Sequence, residues 1–264
     1  MTSFDPLGDN QRFAHWSGHV RQWGSGDANC RSWFGGKVID ALCEVLDEHL
    51  QAAEPPRSLA KPAAIGCVPW LTSDAVVDRL CRLDHLCVVL DKGCEFVPGR
   101  LIDDASPFPN VLPALGGVVP PGEHPIAIGP SSLWPEYNVG PVRLLGWQGR
   151  ESGKPLLHAK LLVLGHIGLV RHEPEGAPKF EEVEFVPQSV WWGSANWTET
   201  AQKHLEVGFW TDDTDLAREA AYFVGDVIAF SEPVGSTSPG PRPDLVRLEY
   251  DEAAMAEASH YYDD

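Results

Sequence analysis

Two side chains of complementary chemistry stand two positions apart in the segment Leu157-His158-Ala159-Lys160-Leu161. The run 157–164 predicts a strand, and alternate side chains of a strand share a face, so we expect His158 and Lys160 to point the same way. An ammonium group can hold phosphoryl oxygens as a point charge, and a histidine side chain changes its protonation near neutral pH. The pair favours a phosphodiester as substrate.

A second polar segment, Gly193-Ser194-Ala195-Asn196, follows a predicted strand and precedes the acidic residue Glu206. A glycine at a strand end allows the backbone to approach a ligand closely. We expect the Ser194 hydroxyl and the Asn196 amide to donate to the same phosphate. We expect Glu206 to accept from the second imidazole nitrogen of His158 and so to fix its tautomer.

With these residues the sequence resembles the phospholipase D-like (HKD) superfamily, in its single-motif nuclease type. The family pattern is H-x-K, four residues, an Asp, then G-S-x-N and a following acid, and the resemblance covers roughly residues 30–230. Two features depart from the pattern. Gly165 stands at the position of the Asp, and 27 residues separate it from Gly193. We predict an extended hairpin or insertion at 166–189, from which Arg171 and Lys179 bind substrate.

The resemblance implies a metal-independent and cofactor-free reaction. His158 attacks phosphorus to give a phosphohistidine, a second histidine protonates the leaving oxygen, and water then releases the enzyme. Lys160, Ser194 and Asn196 stabilise the charge on the phosphoryl oxygens. Since the chain has one H-x-K, the resemblance implies a homodimer whose two-fold interface supplies the second histidine.

The overall composition is that of a folded, acidic protein. The 264 residues include 20 Lys and Arg against 38 Asp and Glu, for a net charge of -18, which argues against tight, sequence-independent nucleic-acid binding. Residues 141–180 alone are net positive, with six basic and three acidic side chains, and they carry the H-x-K pair. This distribution favours an anionic substrate drawn to one place.

The hydrophobic pattern predicts an α/β fold, a phospholipase D-like mixed sheet flanked by helices on both faces. Two helices are expected at 37–50 and 74–83, and a third at 215–230. Strands are expected at 64–70, 86–90, 142–145, 157–164, 183–186, 190–192 and 206–210, the first two being parallel because a helix joins them. Residues 1–230 form one predicted domain with a long Pro- and Gly-rich loop at 94–140, and 231–264 form a linker and an acidic tail.

These observations leave three kinds of function open. The first is a nuclease, with nucleic acid as substrate. The second is a lipid or small-molecule phosphodiesterase or transphosphatidylase. The third is a catalytically silent scaffold that binds partner proteins, in keeping with Gly165; a role in phage defence would suit either the nuclease or the scaffold. No signal sequence, membrane span or C-x-x-C zinc pair is evident, so we expect a cytoplasmic protein without a metal site.

Overall fold

The computed structural model describes residues 19–23, 28–52, 60–94, 96–109, 118–119, 126–127, 138–149, 157–173, 179–247 and 249–250. Within these ranges, one sheet contains strands β1 (His19–Trp23), β2 (Cys30–Gly35), β3 (Lys61–Val68), β4 (His85–Asp91), β5 (Val142–Leu145), β6 (Leu161–His172), β7 (Phe180–Gly193), β8 (Glu206–Thr211) and β9 (Glu232–Pro233). The α-helices of the same ranges are α1 (Val38–Ala52), α2 (Asp74–Leu80), α3 (Gly99–Asp104) and α4 (Thr214–Ala229).

The strand order of the sheet is β1-β2-β8-β7-β6-β3-β4-β5-β9. Strands β3, β4 and β5 are parallel neighbours, and every other adjacent pair is antiparallel. The predicted mixed sheet, including its parallel β3–β4 pair, is confirmed. This arrangement brings the carboxyl ends of β2, β3, β4, β5 and β7 to the same edge as the starts of β6 and β8. We call it the upper edge.

Helices cover both faces of the sheet, as predicted. Alternate residues of β3 separate the two cores: Ala64 and Val68 pack under α1 and α2, whereas Ala63 and Ile65 pack under α4. Helix α1 buries Val38, Ile39, Leu42, Val45, Leu46 and Leu50, the stripe that its 3.6-residue period predicts.

The 231–245 segment is not the linker that the sequence predicts. Ser231 and Glu232 are buried, strand β9 pairs with β5, and Leu245 joins the core beneath α4. Two buried cations hold the segment: Arg143 donates to the Ser231 hydroxyl at 2.6 Å and pairs with Asp244, while Lys92 pairs with Glu232. The breaker-rich composition of this segment reflects its irregular path across the domain.

Most of the predicted 94–140 loop lies outside the described residues. Its described parts include α3 and four two-residue strands. Strand 108–109 pairs with 138–139, 118–119 with 246–247, and 126–127 with 249–250. The acidic tail beyond residue 250 also lies outside them. No helix in the described ranges is both long enough and apolar enough to cross a membrane.

Candidate active site

The upper edge of the sheet collects the two polar segments that the sequence singles out. His158 and Lys160 come directly before β6, Ser194 directly follows β7, and Glu206 is the first residue of β8. The predicted strand at 157–164 is wrong at its start, because β6 begins at Leu161. Its pairing with β3 and β7 begins only there, which leaves the H-x-K segment projecting above the sheet.

Lys160 is the buried cation of this site. Its residue is 7% exposed, and its Nζ donates to the backbone carbonyl of His158 at 2.9 Å. Burial lowers the pKa of the Lys160 ammonium, and the negative charge of Glu206 partly opposes that shift. The Lys160 carbonyl accepts from Gly193 N at 3.2 Å, so the two polar segments are joined through the backbone.

Ser194 and Glu206 form the second half of the site. The Ser194 hydroxyl donates to Glu206 Oε2 and accepts from Val207 N at 3.0 Å. Ser194 N also donates to the Val207 carbonyl at 2.9 Å, which locks the turn after β7 to the start of β8. Glu206 therefore contacts Ser194 rather than His158, contrary to the tautomer-fixing bond that the sequence suggests.

His158 is exposed, and the backbone just before it is anchored by a residue that the sequence analysis does not single out. Asp91, 6% exposed at the end of β4, accepts from Leu157 N through Oδ2 at 3.0 Å and from Gly93 N through Oδ1 at 2.8 Å. The position of Asp91 in the sequence could have indicated this role, because polar residues at the carboxyl ends of parallel strands often belong to ligand sites.

Asn196 lies between Ser194 and a firmly held tryptophan. Trp197 is fully buried, its N donates to the Trp70 carbonyl at 3.0 Å, and its carbonyl accepts from Thr72 N at 2.9 Å. The Asn196 Oδ1 atom is buried and accepts no hydrogen bond from the described residues. The segment after β3 thus fixes the backbone next to Asn196, and the Oδ1 atom of Asn196 keeps the capacity to accept a hydrogen bond.

Arg171 and Lys179 are not brought to this site. Arg171 lies ten residues beyond Leu161 along β6, which corresponds to about 33 Å of strand. Both side chains pair with Glu173, Arg171 Nε at 3.2 Å and Lys179 Nζ at 2.7 Å from its Oε1. Residues 166–172 and 180–186 pair as an antiparallel ribbon that extends away from the upper edge, so substrate binding by these two cations has no support in the geometry.

Gly165, at the position where the family pattern has Asp, is explained by packing. A Cβ atom there would lie 2.3 Å from the Val186 carbonyl oxygen and 2.8 Å from the Phe185 ring. The strand pairing also shifts register between Leu164 and Gly165. No side chain fits at this close approach without movement of the backbone.

The site has no cluster that suggests a metal. Within the described residues, no three His, Cys, Asp or Glu side chains gather as ligands would.

Comparisons with known proteins find similar solved structures but no relatives by sequence. No family model matches the chain, and no curated protein matches it. NucT from Helicobacter pylori is similar over 78% of this chain and 99% of its own, at 12% identity and a TM-score of 0.44. A phospholipase D family member, Nuc from Salmonella typhimurium, is similar over 80% and 100%, at 13% identity and a TM-score of 0.42. Polyphosphate kinase from Porphyromonas gingivalis is similar over 80% and 27%, at 12% identity and a TM-score of 0.41.

Proposed function

We propose that this protein is a phospholipase D-like phosphodiesterase that hydrolyses phosphodiesters without a metal ion and acts as a nuclease. The observation that carries the proposal is the set of groups at the upper edge. The exposed side chain of His158, the buried ammonium of Lys160 and the hydroxyl–carboxylate pair of Ser194 and Glu206 all belong to segments at that edge. This set supports a nucleophile, His158, and a cation, Lys160, that stabilises negative charge.

The proposed reaction has two steps at the same imidazole. A ring nitrogen of His158 attacks phosphorus, and the bond to the leaving oxygen breaks while a second, protonated histidine donates its proton to that oxygen. Water then attacks phosphorus and gives its proton to the second histidine. The phosphorus–nitrogen bond breaks, and the electron pair returns to His158. Lys160 and Asn196 stabilise the charge on the phosphoryl oxygens in both steps.

The second histidine is the reason for proposing a homodimer. In the described part of the chain, His49 and His85 lie on α1 and at the lower end of β4, and His166 and His172 lie along β6. His19, the first residue of β1 and opposite Phe34, and His204, which is exposed and stands two residues before Glu206, also lie toward the upper edge, so they are the internal alternatives to a second copy's His158. In our proposal, two copies meet at their upper edges and each supplies one His158.

Hydrolysis of bis(p-nitrophenyl) phosphate in the presence of EDTA tests the proposal. Wild-type protein should turn over, His158→Ala should not, and the matched variant His172→Ala, on the distant ribbon, should remain active. Absence of turnover by wild type, or activity that survives in His158→Ala, would contradict the proposed phosphodiesterase.

The dimer is tested in the same assay through His19→Ala, His204→Ala and protein concentration. We expect both variants to retain activity and the specific activity of wild type to rise as sedimentation shows dimer forming. Loss of activity in either variant, together with constant specific activity at every concentration, would place both histidines in one chain and reject the dimer.

A further inference from the structure

A cavity of about 770 Å³ opens at the upper edge beside the candidate active site. It lies above the carboxyl ends of the three parallel strands, between the chain segments that leave them. Its lining includes Trp70 and Thr72 after β3, Lys92, Cys94 and Phe96 after β4, and Gln148 after β5. Small-molecule sites typically enclose about 300–1,000 Å³, so the volume is large enough for a base with its sugar.

Two hydrogen-bonded connections place this cavity against the site. On one side, the segment carrying Trp70 and Thr72 is bonded on both flanks to Trp197, the residue after Asn196. On the other side, Lys92 follows Asp91, which holds the backbone amide of Leu157 next to His158. The chain segments that line the cavity are therefore hydrogen-bonded to, or continuous with residues that are hydrogen-bonded to, the segments that carry Asn196 and His158.

The lining is suited to a flat, uncharged ring. Trp70 and Phe96 supply aromatic surface, and the Phe96 side chain is 54% exposed while its carbonyl accepts from Cys94 Sγ at 2.8 Å. Thr72 and Gln148 are exposed and supply a hydroxyl and an amide. Lys92 adds little free charge, because its ammonium pairs with Glu232 and donates to the Gly240 carbonyl at 2.9 Å.

We infer that this cavity binds an unstacked nucleobase adjoining the scissile phosphate, which makes single-stranded nucleic acid the preferred substrate. The inference rests on the proposed nuclease function and adds the substrate class. A base enters such a cavity only when it has left its stack, and aromatic side chains receive bases of any sequence. Single strands present such bases readily, whereas a duplex must first unstack and unpair.

The test is direct binding, which does not require that nucleic acid be cleaved. Fluorescence anisotropy is measured for a short labelled oligothymidylate and for a base-free oligomer with the same sugar-phosphate spacing. The protein carries His158→Asn so that neither ligand is consumed. Phe96→Ala removes exposed aromatic surface from the cavity. Phe223→Ala is the matched control, since Phe223 is 50% exposed on α4, away from the cavity.

We expect the oligothymidylate to bind at least about 5-fold more tightly than the base-free oligomer. Phe96→Ala should weaken oligothymidylate binding by about 5- to 100-fold and leave base-free binding unchanged, and Phe223→Ala should change neither. Equal affinity for the two ligands, or an equal loss on both in Phe96→Ala, overturns the inference.

Different results reject base binding in the cavity and phosphodiester cleavage at His158. Metal-independent cleavage without base-dependent binding leaves the phosphodiesterase intact and rejects the cavity as a base site. Base-dependent binding that Phe96→Ala abolishes, in a protein that cleaves no diester, leaves the cavity as a base site and rejects the catalytic proposal.

Discussion

The buried side chain of His49 makes the folding stability of the protein depend on pH. It lies in the last turn of α1 with its imidazole largely buried, and its Nε2 atom has no hydrogen-bond partner among the described residues. Burial lowers the pKa of His49 to about 4, even though a hydrogen bond to the backbone of Gly165 opposes the shift, and nearby His166 lowers it further. The folded protein therefore holds this side chain neutral.

The direction of the effect follows from the two pKa values. The unfolded chain, with a histidine pKa near 6.5, takes up the proton before the folded protein does. The contribution of neutral His49 to the free energy of unfolding is therefore fully present above about pH 6.5, and it is lost as the pH falls toward 4. At about pH 5.5 the expected loss from this one group is about 1 kcal/mol, and well below pH 4 it reaches about 3 kcal/mol.

Urea denaturation at about pH 8 and about pH 5.5 measures this loss. Wild type should lose about 1 kcal/mol more between the two conditions than His49→Gln does, because glutamine does not titrate. His204→Gln, at an exposed position, should behave like wild type. An equal loss in wild type and His49→Gln would refute the buried, neutral state assigned to His49.

Three further predictions concern residues that shape the site. Gly165→Asp should destabilise the protein by about 1–3 kcal/mol in urea, because its Cβ meets the Val186 carbonyl, whereas Gly99→Asp in open space should not; equal midpoints would contradict the close approach. Asp91→Asn should lower kcat more than it raises KM, because the Leu157 amide is no longer held as before, and an unchanged kcat would show that Asp91 does not position His158. Ser194→Ala should lower the free energy of unfolding by about 1 kcal/mol and kcat with it, and full activity would remove Ser194 from the site.

The sequence predicts α1, α2, α4 and the parallel strands to within three residues because their patterns are regular, but it misses α3, which lies in the predicted 94–140 loop. Helix α1 is predicted at 37–50 and observed at Val38–Ala52, and β5 is predicted at its observed bounds of Val142–Leu145. In both, burial follows local periodicity, which is the signal that a sequence carries most directly. Once the strand order and directions are known, they determine at which edge of the sheet the site residues lie.

Strand β7 shows where local pattern is insufficient. The sequence predicts separate strands at 183–186 and 190–192, since Pro187 interrupts the run, but one strand spans Phe180–Gly193. Pairing with β8 begins only at Val190, so Pro187 lies where that side of the strand has no neighbour and needs no amide donor. Which part of a strand is an edge depends on the tertiary arrangement.

The candidate site likewise combines residues that the sequence predicts with contacts that it does not. Lys160, Ser194 and Glu206 are predicted from residue type and spacing. In the structure Ser194 is hydrogen-bonded to Glu206, and the charge of Glu206 acts on Lys160. The partner of Glu206 and the anchoring role of Asp91 depend on side-chain directions and on a contact across 66 positions, which spacing does not encode. Arg171 is basic and close in sequence, yet the length of β6 carries it away.

Mass spectrometry of the trapped protein tests most directly whether His158 is the nucleophile of a covalent mechanism. Protein mixed with bis(p-nitrophenyl) phosphate and EDTA is quenched during turnover in alkaline denaturant, which preserves phosphoramidates. Our account predicts one nitrophenyl phosphoryl group on the peptide containing His158, and none in His158→Ala. An adduct on a different residue, or turnover with His158 never modified, would contradict it.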